Sequence, residues 1–331
     1  MASLIMALVA LFAFATFVNS VAINSTLSFV SNSGLASRSH AGLFPRAHAG
    51  PPDSGVFDPH SVTPDSPDEP RMQTGSQDLC KDHDKEENGS HFCQNVQQVV
   101  YTNVNTPAGQ YKAVTSMDKD TKRCDMAPKS FGGDLAPFNE SISMHFHGPL
   151  HLKQFAFYLP GAGGSYERKG YYHAPSQTSE HLTFMGNFGG QGSGVFTEAW
   201  GASLSFANAH GDGGFPGTSR IFLFEFSMPQ DAANPGYDEP AIWLLNARIP
   251  YTQHCWNFGC GEFDIFEIVN NAYTKALSTF HLNPFGAGDP NWFKRPVDGP
   301  VKVLLYMDPS EGGKVSVKML GGSDGKLKIT I

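Results

Sequence analysis

Charge is scarce in this sequence: Asp, Glu, Lys and Arg make up only 16% of its 331 residues. The little there is lies unevenly. Residues 51–90 hold ten acids (Asp53, Asp58, Asp65, Asp68, Glu69, Asp78, Asp82, Asp84, Glu86, Glu87) against three bases (Arg71, Lys81, Lys85), so this stretch carries 3 − 10 = −7 of the chain's 23 − 31 = −8. The rest is nearly neutral and has no basic stripe to neutralise phosphates, which argues against a nucleic-acid partner. No second long apolar run follows the N-terminal one, so no membrane partner is expected after signal cleavage. A sustained helical stripe and a fixed-period repeat are both missing. The glycine-dense stretch 186–194 lacks the Gly-Lys-Ser/Thr ending of a phosphate loop. Neither local cysteine pair has the Cys-x-x-Cys spacing of a zinc site. No cofactor and no metal are therefore expected, and a monomer is.

What is present is aromatic and rich in turns. Aromatics make up 12% of the chain, with 35 glycines and 23 prolines, a composition that favours many short strands over long helices. Leu4 to Val18 is almost wholly apolar, and Val18, Ser20 and Ala22 offer the small residues of a cleavage site, although no Lys or Arg precedes Arg38. Residues 1–22 are expected to be a signal peptide, which makes the protein secreted and Asn24, Asn88 and Asn139 glycosylation candidates. Residues 23–76, with their prolines, Ser and Asp, read as a disordered linker or pro-segment. Residues 77–127 read as a small Cys-containing N-terminal region. In a secreted chain, Cys80 with Cys93 and Cys255 with Cys260 are the local disulfide candidates, leaving Cys124 free or paired upstream.

From residue 128 to 331 short apolar runs alternate with Gly/Pro/Asn/Asp clusters: 142–147, 154–158, 220–227, 241–245, 262–269, 277–281, 301–306 and 314–318. This pattern predicts an all-β, two-sheet β-sandwich of the concanavalin-like jelly-roll kind.

Within it, Glu262-Phe-Asp264-Ile-Phe-Glu267 sets three acids among strong strand formers. On a regular strand Glu262 and Asp264 share a face, while Glu267 misses it by one residue. A β-bulge around Ile265-Phe266 would restore the parity and line up three carboxylates. The alternative is an exposed acidic face with an apolar back. Paired carboxylates on one face are what retaining glycoside hydrolysis requires, one as nucleophile and one as acid/base. Asp264 between them would hydrogen-bond the nucleophile and help keep one glutamate protonated while the other is charged.

The segment Gly259-Cys260-Gly-Glu-Phe-Asp-Ile-Phe-Glu267 resembles the active-site strand of laminarinase-type glycoside hydrolase family 16, in the version with two residues between Asp and the second Glu. Pro240–Asn246 and Ser278–His281 are similar to the strands on either side of it. A fungal cell-wall family of glucan endo-1,3-β-glucosidases resembles this chain more closely, in Gly148–Phe155, Leu182–Gly194, Phe222–Pro229 and Phe293–Gly299. The resemblance spans about residues 80–320. It implies a cell-wall enzyme acting inside 1,3-β-glucan chains, with Glu262 as nucleophile, Asp264 as its assistant, Glu267 as acid/base, and Trp243 and His281 at substrate subsites. Family members carry more cysteines and continue further, so an incomplete C-terminus is expected. A wall transglycosylase on the same site and a non-catalytic glucan-binding glycoprotein are the rival readings.

Trp256, in a polar loop next to Cys255, is a further candidate for stacking on sugar. His145, His147 and His151 read as a surface strand, since no carboxylate accompanies them locally as a metal ligand would.

Overall fold

The computed structural model describes residues 73–74, 85–87, 90–105, 108–118, 120–121, 124–185, 195–196, 202–206, 214–233, 238–248, 261–269, 273–281 and 286–321. In chain order the strands are β1 (Gln73–Thr74), β2 (Lys85–Glu87), β3 (Ser90–Phe92), β4 (Gln98–Thr102), β5 (Gly109–Met117) and β6 (Cys124–Phe131). Then come β7 (Ile142–His147), β8 (Leu150–Pro160), β9 (Tyr166–His173), β10 (Thr178–Glu180), β11 (Leu182–Met185), β12 (Val195–Phe196) and β13 (Ala202–Phe206). The chain continues with β14 (Arg220–Ser227), β15 (Ala241–Asn246), β16 (Glu262–Ile268), β17 (Lys275–His281), β18 (Gly286–Lys294), β19 (Val301–Asp308) and β20 (Lys314–Leu320). No helix among the described residues is long and apolar enough to cross a membrane.

Sixteen of these strands form the two-sheet β-sandwich that the alternating apolar runs imply. One sheet has the order β1-β4-β20-β19-β14-β8-β9-β10, with β12 also on β8; the other runs β11-β13-β7-β15-β16-β17-β18. Side chains alternate across each strand, so every second residue meets the facing sheet. Phe155, Phe157, Phe222 and Phe224 from the first sheet share one core with Phe146, Leu244, Phe263 and Phe280 from the second. Phe263 and Phe280, partners across β16 and β17, stack with centroids 3.9 Å apart.

Of the N-terminal strands, β1 and β4 belong to the first sheet, whereas β2–β3 and β5–β6 each form a two-stranded sheet of their own. β4 is hydrogen-bonded between β1 and β20, and the boundary expected between residues 127 and 128 falls inside β6. Gln73 and Thr74, expected in the linker, are the strand β1. The β5–β6 hairpin lies against the outer face of the second sheet, where Tyr111 and Ala113 pack with Leu245, Phe131 and Trp243. Glu140 fastens it. Its Oε2 accepts from Tyr111 Oη at 2.7 Å and Asn246 Nδ2 at 2.9 Å, and Lys129 Nζ lies 2.8 Å from Oε1. Burial alone would raise the Glu140 pKa, but the bonds from Lys129, Tyr111 and Asn246 outweigh it and hold the carboxyl below its ordinary value.

The second sheet is irregular at β16. Trp243 pairs with Asp264 but Ile242 pairs with Phe266, so one step on β15 spans two on β16. Across β17 the same slip appears between Asp264, opposite Thr279, and Glu267, opposite Leu277. This is a β-bulge at Ile265-Phe266, and both of these side chains turn into the core. A bulge leaves ladder groups without their usual partners, and the neighbours supply substitutes. Ser278 Oγ donates to the Asp264 carbonyl at 3.2 Å. Tyr101, on β4 of the opposite sheet, donates its hydroxyl to the Ser278 carbonyl at 2.6 Å. Burial pushes that phenol well above its usual pKa, so it remains a donor. Tyr101→Phe would leave a buried carbonyl unpaired beside the bulge and is expected to cost about 1–3 kcal/mol in chemical denaturation; an unchanged midpoint would show that the bulge needs no such support.

Candidate active site

Residues paired across antiparallel strands point to the same side of a sheet, so the register locates the three acids. Glu262 faces Leu245 on β15 and His281 on β17; Asp264 faces Trp243 and Thr279; Glu267 faces Ala241 and Leu277. All three carboxylates therefore stand on the face turned away from the core. The extra residue of the bulge is what brings Glu267 onto that face.

These acids are not an exposed fringe. Glu262, Asp264 and Glu267 are 7%, 3% and 5% exposed, which decides against a merely solvated acidic strand. Carboxylates so far withdrawn from water need partners. Asp264 has one in His281, whose Nε2 lies 2.8 Å from Asp264 Oδ2. Glu262, Asp264 and His281 each offer a donor atom within 4.8 Å of the others. Two carboxylates and an imidazole are a donor set that could take a cation, and within it Asp264 Oδ2 and His281 Nε2 lie 2.8 Å apart as an ion-pair contact.

Beside the acids the same face is aromatic. Trp243 is half-buried and stacks on His145, which it faces across β7, with centroids 5.4 Å apart and planes at 24°. His145 Nε2 is 2.8 Å from Ser143 Oγ. Far from lying on a surface strand, His145 is 1% exposed, and burial drives its pKa down to about 3, so its ring is neutral at ordinary pH. His147 is on the same side of β7, with Nδ1 3.2 Å from the Glu239 carbonyl.

The structure thus brings Glu262, Asp264, Glu267, Trp243 and His281 together on one face. Trp256, Cys80, Cys255, Cys260, Asn24 and Asn88 lie outside the described residues. Cys93 is disulfide-bonded and Cys124 is free. Asn139 is half-buried, and its Nδ2, the atom a glycan would be joined to, donates to the Gly132 carbonyl at 3.0 Å. Two contributors escaped the sequence reading, Tyr101 and Ser278, and a third, His145, was read there as a surface residue. Of these only Tyr101 left a signal. Its two-residue offset from Val99 puts it on the core side of a strand, where a tyrosine hydroxyl must find an acceptor.

Comparison with known proteins supplies the remaining findings. Residues 97–160 match the family model described as "Cell wall protein YJL171C/Tos1, N-terminal", and residues 164–214 and 212–328 match its C-terminal counterpart. The chain is similar to the "Probable circularly permuted 1,3-beta-glucanase TOS1" of Candida albicans, at 24% identity over 68% of this chain and 87% of the relative. It is similar to the protein of the same name from Saccharomyces cerevisiae, at 25% identity over 67% of this chain and 86% of the relative. The "Probable circularly permuted 1,3-beta-glucanase YJL171C" of Saccharomyces cerevisiae is 31% identical over 67% of this chain and 75% of its own length. No solved structure matches.

The buried histidine generates a pH test. An unfolded chain takes up a proton at His145 near pH 6.5, whereas the folded protein resists protonation down to about 3. Between those values the unfolded state holds more protons, so stability falls as pH falls. His145→Phe is expected to remove this dependence: between pH 7 and pH 5 the native protein should lose roughly 2 kcal/mol more than the variant in urea denaturation. Parallel losses would contradict the buried, neutral assignment.

Proposed function

The chain belongs to the YJL171C/Tos1 family of cell wall proteins, and from that premise we propose that it is a retaining 1,3-β-glucanase of the wall. The observation that carries this reading is the bulged strand β16, with three withdrawn carboxylates on one face. The relatives are named as probable 1,3-beta-glucanases. Those names also say "circularly permuted", and a further feature agrees with it. β4 and β20, near the two ends of the described sandwich, are paired neighbours in one sheet, the arrangement that lets a chain be joined there and opened elsewhere.

In the proposed reaction a glucan lies over β16 with its scissile bond between the two glutamates. Glu262 attacks the anomeric carbon as the bond to the leaving oxygen breaks, and Glu267 gives that oxygen a proton. The sugar is then esterified to Glu262. Glu267, now charged, takes a proton from water, which attacks the same carbon and frees Glu262. Asp264, whose Oδ2 lies 2.8 Å from His281 Nε2, is a positioning residue between them. Its charge beside Glu262 opposes a build-up of negative charge and so favours the step that neutralises the nucleophile. Half-buried Trp243 offers a ring face next to Asp264 on which a sugar's C–H surface can rest.

Purified mature protein incubated with laminarin should give new reducing ends, and a labelled acceptor oligosaccharide should not be elongated. Longer labelled chains would instead identify a transglycosylase. Glu262→Gln and Glu267→Gln are each expected to lower turnover by roughly a thousandfold. Product freshly released as the α-anomer, or near-normal rates in either variant, would overturn the roles given to the glutamates.

A further inference from the structure

The register lays the outer face of the second sheet out in rows. Ser143, Leu245, Glu262 and His281 face one another in the first; His145, Trp243, Asp264 and Thr279 in the second; His147, Ala241, Glu267 and Leu277 in the third. Trp243 therefore stands in the middle row with His145 on one side and Asp264 on the other, each one strand away.

The contact on the β7 side is a ring stack. The imidazole of His145 and the indole have centroids 5.4 Å apart and planes 24° from parallel, an offset stack of the favourable kind. The imidazole thus takes one face of the indole, and the opposite face is the one on the carboxylate side. Along its own strand the indole also packs against the cluster of Leu245, Tyr111 and Ala113.

His145 is itself held in place. Its Nε2 lies 2.8 Å from the Oγ of Ser143, two residues back on the same face of β7. Both residues are buried, although the outer face of a sandwich is ordinarily its solvent side. An aliphatic side chain would fill the place of His145 at a lower cost in desolvation. What the imidazole adds is a flat face toward Trp243 and a nitrogen that fixes the plane of that face.

We infer that His145, oriented by Ser143, is a positioning residue: it sets the plane of the Trp243 indole, so that the face toward Asp264 meets the sugar beside the two glutamates. This rests on the glucanase reading and goes beyond it. Buried His145 touches neither the sugar nor the reacting atoms and acts only through Trp243. A binding contact tolerates about 10–20° of misorientation. An indole released to turn would therefore lose its hold on the sugar while the carboxylates stayed in place.

The test pairs kinetics with a spectroscopic readout of the indole. His145→Ala is expected to raise the KM for laminarin about fivefold, the scale of one lost ring stack, with kcat within about twofold of native. His145→Phe keeps a flat ring against the indole and should restore the native KM. Ser143→Ala keeps the imidazole but removes its anchor, and should raise KM about twofold. In a Trp243→Ala background, replacing His145 should change KM no further. Protein made with fluorotryptophan should show a single fluorine resonance for Trp243, identified by its absence from Trp243→Phe. That resonance should shift or split in His145→Ala and return in His145→Phe. A fall in kcat at unchanged KM, or a Trp243 resonance indifferent to His145, would overturn the positioning role and leave the glucanase reading standing. If the native protein cleaves no laminarin, the glucanase reading fails, and the fluorine spectrum alone decides whether His145 sets the indole. Should His145→Ala fail to fold, Ser143→Ala decides: native KM and an unmoved Trp243 resonance there would overturn the inference.

Discussion

A β-strand changes sides at every residue, and β16 breaks that rule once. Without the slip at Ile265-Phe266, Glu267 would point into the sandwich toward Phe226 and Phe293, which now pack against Phe266, and an unpaired carboxylate there is costly. With it, two successive apolar residues enter the core and the acid on their far side returns to the outer face. The register of β15, the Ser278 hydroxyl and the reach of Tyr101 from the opposite sheet all accommodate this one extra residue. Core packing and site geometry are thus coupled through a single irregularity, and a defect in either disturbs the other.

Much of this was legible because a period of two leaves a plain mark. The runs 142–147, 220–227, 241–245 and 277–281 became β7, β14, β15 and β17 nearly residue for residue. The bulge was readable as well, since three acids spaced 2 and 3 apart can share a face only if one residue is inserted. Other elements carried no such mark. β18 contains Gly286, Gly288 and Pro290, residues that ordinarily interrupt strands, and it survives through pairing to β17 that no local pattern encodes. The β5–β6 hairpin is polar along one edge and Cys-bearing, so it read as part of a separate region; its burial depends on Leu245 and Asn246, more than a hundred residues later in the chain. His145 looked like a surface histidine because only tertiary structure places Trp243 over it.

The distribution of charge follows the same logic. Nearly all of the net −8 resides in residues 51–90, leaving the sandwich close to neutral around three withdrawn carboxylates. An uncharged polysaccharide gains nothing from long-range steering, and a cleft poor in competing charge lets the few buried groups interact strongly with one another. Recognition in the proposed reaction then falls to shape, with the indole of Trp243 beside the carboxylates.

Every step of the proposed reaction depends on Glu262 being the group that attacks the sugar. A 2-deoxy-2-fluoro-β-glucosyl fluoride tests this directly, because the ring fluorine slows both steps while the leaving fluoride speeds the first, so a glycosyl ester accumulates on the nucleophile. Tandem mass spectrometry of the digested, inactivated protein should place the added fluoroglucosyl mass on Glu262. An adduct on Glu267 or elsewhere, or continued turnover with no adduct at all, would contradict that role.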